Sequence, residues 1–91
     1  MNIKIPAPQG GKISFISLVD IIRVENCSLT FFGSSAYNLY VVEKVDKGEE
    51  FFSLYSYKRK EDMLTAFNII SGLLKKKSDE PVILEMEPVK S

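Results

Sequence analysis

The sequence contains no histidine, no tryptophan and a single cysteine, Cys27. Histidine is the commonest general base near neutral pH and the usual activator of serine and cysteine nucleophiles, so its absence removes the most frequent catalytic arrangements. A lone cysteine allows no intramolecular disulfide, and without histidine or an Asp-x-Asp loop the usual metal-ligand sets are missing. We therefore expect a non-enzymatic protein with no catalytic residue, no cofactor and no metal.

An excess of one charge and long apolar runs are also missing. Lys and Arg number 12, as do Asp and Glu, which gives a net charge of zero. Proteins dedicated to nucleic acids usually carry a basic excess that contacts phosphates. No run approaches the roughly 18 apolar residues of a membrane span, and residues 1–6 hold no apolar core of signal-peptide length. We expect a cytoplasmic protein with little charge repulsion to oppose self-association.

What is present suffices for one small domain, since the chain has 91 residues, of which 45% are hydrophobic. Apolar residues that alternate with polar ones predict β-strands, and Asp46-Lys47-Gly48 predicts a hairpin turn in which Gly48 takes a positive φ. The predicted strands are residues 2–5, 12–16, 21–26, 38–44 and 50–57, with a sixth extended segment at 82–86. Aromatic residues stand on both faces of 50–57, so its inward face stays open.

The apolar period changes from about 2 to about 3.6 at residue 59, which predicts a helix over residues 59–77. Its acidic first turn and its lysine-rich last turn suit the helix dipole. The stripe facing the core consists of Met63, Ala66, Phe67, Ile70, Leu73 and Leu74. The expected fold is α+β: an antiparallel β-sheet or partly open barrel of five to six strands, covered by one C-terminal amphipathic helix. Residues 1–78 would form this domain, and 79–91 an acidic, proline-bracketed tail.

Two segments are candidates for binding a partner. Phe31, Phe32 and Tyr37 flank the small side chains of a predicted loop at 33–36, and such aromatics either anchor a protein partner or tuck beneath the loop. The tail is the second candidate, as an edge strand of its own sheet or of a partner's. Its apolar residues are Val82, Leu84 and Met86.

Two basic clusters flank the predicted helix, about 25 Å apart if the helix is continuous. The candidate phosphate contacts are Lys58, Arg59, Lys60, Lys75, Lys76 and Lys77. Both clusters also have structural explanations, because Glu61 and Asp62 follow the first and the helix dipole favours the second.

Two families resemble parts of this chain. Phe15-Ile16 followed by Asp20-Ile21-Ile22 and Glu25 is similar to the F-I-x-x-x-D-I-I-x-x-E opening of LytTR-type DNA-binding domains. Their Arg-x-His-Arg-like segment has no counterpart here, so no DNA-reading residue is carried over. The layout as a whole resembles small bacterial domains of pleckstrin-homology-like type, in which such strands lead to a hairpin, a further strand and a closing amphipathic helix. That resemblance implies a binding or scaffolding role without chemistry.

The resulting hypothesis is a non-enzymatic protein-interaction or scaffolding module. It would bind a protein partner, or a second copy of itself, through a sheet edge or the 31–37 loop. One alternative is a divergent LytTR-like regulator that binds nucleic acid through the lysine clusters. Another is a small-ligand-binding domain with a cleft between helix and sheet.

Overall fold

The computed structural model describes residues 2–8, 14–44, 46–76 and 80–87, which contain six β-strands and one α-helix. The elements are β1 (Asn2–Pro6), β2 (Phe15–Ser17), β3 (Ile21–Phe31), β4 (Ser34–Lys44), β5 (Glu50–Tyr57), α1 (Lys60–Lys76) and β6 (Ile83–Glu87). The predicted α+β class with one helix is confirmed. The helix begins and ends within one residue of the 59–77 prediction, and Lys77 lies outside the described residues.

The described strands form two three-stranded sheets. The first has the order β1-β6-β2, with β6 parallel to β1 and antiparallel to β2. The second has the order β3-β4-β5 and is antiparallel throughout. The expectation of one antiparallel sheet or a partly open barrel is therefore wrong, because the last strand inserts between the first two instead of extending a single sheet.

The C-terminal segment belongs to the core. β6 is the middle strand of the first sheet, and Val82, Leu84 and Met86 are all buried. Backbone bonds hold it on both sides, since the Ala7 N–H beside β1 donates to the Glu87 carbonyl at 2.7 Å and the Met86 N–H donates to the Ser14 carbonyl beside β2 at 2.9 Å. The structure thus places residues 82–87 inside the domain, after the helix, rather than beside it.

The helix packs its apolar stripe into one core shared with both sheets. Its buried side chains, Met63, Ala66 and Ile70, contact residues of the first sheet and the inner face of the second. Tyr57 links the sheets, because its hydroxyl donates a hydrogen bond to the Pro6 carbonyl at 2.9 Å. Burial raises the pKa of Tyr57 well above its ordinary value.

The β3–β4 hairpin is tighter than the sequence predicted. Its turn consists of Phe32 and Gly33, with φ angles of 49° and 77°. Ser34, Ser35 and Ala36 pair with β3, so the predicted loop at 33–36 is wrong: small residues continue the strand here because the long partner strand supplies their hydrogen bonds. The predicted turn at 46–48 is confirmed, and Gly48 has a φ of 77°.

Candidate functional site

The second sheet has an inner face that contacts the helix and an outer face that does not. Residues opposite each other in an antiparallel pair share a face, and successive residues alternate between faces. The register therefore places Val42 and Phe52 in one row with Arg23, and Tyr40 and Leu54 in the next row. The outer face includes Arg23, Glu25, Cys27, Leu29, Ala36, Asn38, Tyr40, Val42, Lys44, Glu50, Phe52, Leu54 and Ser56.

Large apolar side chains are exposed on this face. Phe52 is 60% exposed, Leu54 57% and Leu29 54%. Phe51, the neighbour of Phe52 on β5, is 58% exposed although it points to the opposite face. Scattered single apolar residues are normal on protein surfaces, but neighbouring ones on a single strand are typical of an interaction site.

Arg23 borders the apolar part of the outer face. Its guanidinium carbon lies 5.9 Å from the centre of the Phe52 ring, within cation–π range. Its Nε is 3.6 Å from Glu25 Oε1, and its Nη1 is 3.6 Å from Glu50 Oε2. The side chain thus spans from β3 to β5 across the row of Val42, which is fully buried. Exposed ion pairs contribute only about 0–1 kcal/mol, so this group is a polar rim more than a source of stability.

A neutral pair lies on the outer face one row beyond Tyr40 and Leu54. The Ser56 hydroxyl donates a hydrogen bond to Asn38 Oδ1 at 2.8 Å, and this satisfies a buried amide oxygen. Cys27 is half-buried in the same row. On the outer face, Tyr40 and Leu54 therefore lie between the Arg23 row and the Asn38–Ser56 row, and Leu29 lies beyond the latter.

β3 and β5 form the two edges of the second sheet, and the β5 edge is the one whose strand carries no charge after Glu50. β5 pairs with β4 on one side, and no strand within the described ranges pairs with its other side. From Phe51 to Tyr57 the strand holds no charged residue and no proline. An edge of this kind presents unpaired backbone groups to which another strand can add.

The residues predicted to flank a binding loop, Phe31, Phe32 and Tyr37, lie on β3, in the turn and on β4. Phe31 is the last residue of β3 and pairs with Ser34, while Phe32 lies in the turn with 92% of its surface exposed. Tyr37 sits opposite Tyr57 on the inner face, half-buried against the core. The structure places Val82, Leu84 and Met86 in the core, where they stabilise the fold instead of facing a partner.

The helix keeps the basic clusters apart. Lys58, Arg59 and Lys60 are exposed around its beginning, and Lys75 and Lys76 are exposed in its last turn. A helix of 17 residues is about 25 Å long, so the two clusters make separate small patches.

Comparison of the chain with protein-family models, with curated proteins and with solved structures finds no match in any of the three. The helix of the described region is too short or too polar to cross a membrane. In the same region, no three Cys, Asp or Glu side chains gather as metal ligands.

Proposed function

We propose that this chain is a non-enzymatic, cytoplasmic protein-interaction module that binds its partner through β5 and the outer face of the second sheet. The observation that carries the proposal is the exposure of Phe51, Phe52 and Leu54 on an unpaired edge strand. Full burial of one such side chain contributes about 1.5–3 kcal/mol, so covering the exposed half of all three would contribute roughly 2–5 kcal/mol.

The arrangement of the outer face supports this proposal. Protein interfaces combine an apolar centre with a polar rim. Here Leu54 and the half-buried Tyr40 form the centre, Arg23 with its carboxylate partners forms one rim, and Asn38 with Ser56 forms the other. The resemblance to pleckstrin-homology-like domains is in keeping with such a binding role.

A protein partner fits the charge distribution better than nucleic acid does. The net charge is zero, and the first basic cluster is followed directly by Glu61 and Asp62. Binding to phosphates would need a continuous basic surface, and the length of α1 separates the clusters. The LytTR-like alternative predicts saturable binding of a DNA duplex that fades steeply as salt rises. We expect no such binding in fluorescence anisotropy.

A photo-crosslinking amino acid at position 54 tests the proposal in the cells that naturally express the protein. We expect adducts with a discrete protein at position 54, and none from the same probe at position 19, since Val19 is exposed but lies outside β5. Adding Phe52→Ser to the position-54 probe should abolish the adducts. Equal adducts at both positions, or no adducts together with salt-dependent DNA binding, would overturn the proposal.

A further inference from the structure

Exposed apolar side chains occur on both faces of β5, so a partner that covers all of them must contact both faces. Phe52 and Leu54 point to the outer face, and Phe51 points to the inner face beyond the cover of the helix. A partner resting on the outer face would leave Phe51 exposed. A strand added at the edge covers both faces, because its own side chains alternate in the same way.

The two edges of the second sheet differ in how they are protected. The β3 edge has a register shift between Ile21 and Arg23 and carries the charged side chains of Arg23 and Glu25. Bulges and charges are the devices by which proteins prevent strands from adding to an edge. β5 pairs with β4 without a register shift and carries no charge after Glu50. Both devices lie at the beginning of β3, in residues 21–25, whereas β5 has neither of them between Phe51 and Tyr57.

We propose that β5 pairs antiparallel with β5 of a second copy of this chain, around a two-fold axis at Ser53. This inference deepens the proposed function by naming its partner. In this register Phe52 lies opposite Leu54 of the second copy on the outer face, and Phe51 lies opposite Tyr55 on the inner face. Two-fold symmetry makes each pair twice, so every apolar residue from Phe51 to Tyr55 meets an apolar residue.

Neighbouring symmetric registers fit less well. An axis at Leu54 places Phe51 opposite Tyr57, which is buried and hydrogen-bonded to Pro6. An axis at Phe52 places Glu50 opposite Leu54. With the axis at Ser53, Glu50 lies opposite Ser56 and diagonally across from Lys58 of the second copy, so unlike charges approach at each end of the paired strands.

Sedimentation equilibrium from low to high micromolar concentration tests the dimer. The wild-type chain should approach twice its mass of 10.3 kDa, and Leu54→Lys should stay at 10.3 kDa at every concentration. Val19→Lys, at an exposed position outside β5, is the matched control and should dimerise like wild type. Circular dichroism establishes that each variant is folded.

A double variant tests the register. Phe52→Glu combined with Leu54→Lys places each introduced glutamate opposite an introduced lysine of the other copy only when the axis is at Ser53. We expect dimerisation to be lost in either single variant and largely restored in the double one. A dimer that Leu54→Lys leaves intact, or single variants that the double one does not rescue, would overturn this pairing.

The outcomes separate this inference from the proposed function. A wild-type chain that stays monomeric at all concentrations, but whose position-54 probe crosslinks to another protein, refutes the dimer and leaves the proposed function standing. A monomer without position-specific adducts refutes both.

Discussion

Replacing Leu84 by alanine tests whether the C-terminal segment belongs to the core. Leu84 has 0% exposure and lies on the middle strand of the first sheet, opposite Ile3 on one side and Ile16 on the other. Leu→Ala changes at such sites cost about 3–5 kcal/mol, because the lost burial is joined by a cavity that neighbouring elements fill only partly. With strands on both sides and the helix above, we expect little collapse and a loss within that range.

That loss would be a large part of the stability of this domain. At roughly 0.05–0.15 kcal/mol per residue, the 91 residues amount to about 5–14 kcal/mol in total. Each kcal/mol shifts the Tm of a domain of this size by roughly 4–8 °C, so the Tm should fall by more than about 10 °C. Urea unfolding, followed by far-UV circular dichroism and tyrosine fluorescence at low micromolar concentration, measures the change in free energy.

Leu54→Ala is the matched control for Leu84→Ala. It makes the same chemical change at a side chain that is mostly exposed, so we expect a loss of no more than about 1 kcal/mol. If both variants lose the same free energy, or if Leu84→Ala unfolds at the wild-type urea concentration, the segment is not a core strand and the placement of β6 is wrong.

Three further variants test local features of the fold. Tyr57→Phe removes the hydrogen bond to Pro6 and should cost about 1 kcal/mol at neutral pH. Folding raises the pKa of Tyr57 above 10.0, so the contribution of Tyr57 to the free energy of unfolding is complete below that pH and is lost as pH rises further. Above pH 10.0 the free energy of unfolding should therefore fall less steeply in Tyr57→Phe than in wild type. An equally steep fall in both proteins would contradict the burial of Tyr57. Phe32→Asn should raise the free energy of unfolding by about 1 kcal/mol, since Asn-Gly suits a turn with positive φ; a lower urea midpoint would argue against this turn. Ser56→Ala should cost about 1–3 kcal/mol by leaving the buried Asn38 oxygen without its donor, and a Tm equal to wild type would show that water replaces the bond.

The helix and the turn at 46–48 could be predicted from the sequence, whereas long-range strand pairing could not. The helix is specified by a local apolar period and by charges at its ends, so its bounds were predicted within one residue. The parallel pairing of Asn2 with Ile83 joins segments that are far apart in the sequence. The alternation of apolar residues predicts a strand but does not indicate which other strand it pairs with. The single-sheet expectation is wrong for this reason.

The sequence predicted β5 as a strand but not which of its faces is exposed. Aromatic residues on both faces of 50–57 left the inward face undecided in the sequence. The structure shows Tyr57 buried and Phe52 exposed, with Phe51 exposed as well. β5 is apolar on both faces, and along its first half neither face is covered. This exposure is typical of an edge strand, because no neighbouring strand shields the side chains on its open side. The aromatic residues on both faces of 50–57 therefore indicated an edge strand, but only the strand order identifies β5 as one.

Amide hydrogen exchange along β5 tests the central claim most directly, that this edge is the working surface. The amides of residues 51–56 that face the open edge should exchange quickly in dilute protein and become protected when the second copy or another protein partner is bound. The amides of α1 should be unchanged. Protection that appears instead around Lys58 to Lys60 or on β2, with β5 unaffected, would contradict the account.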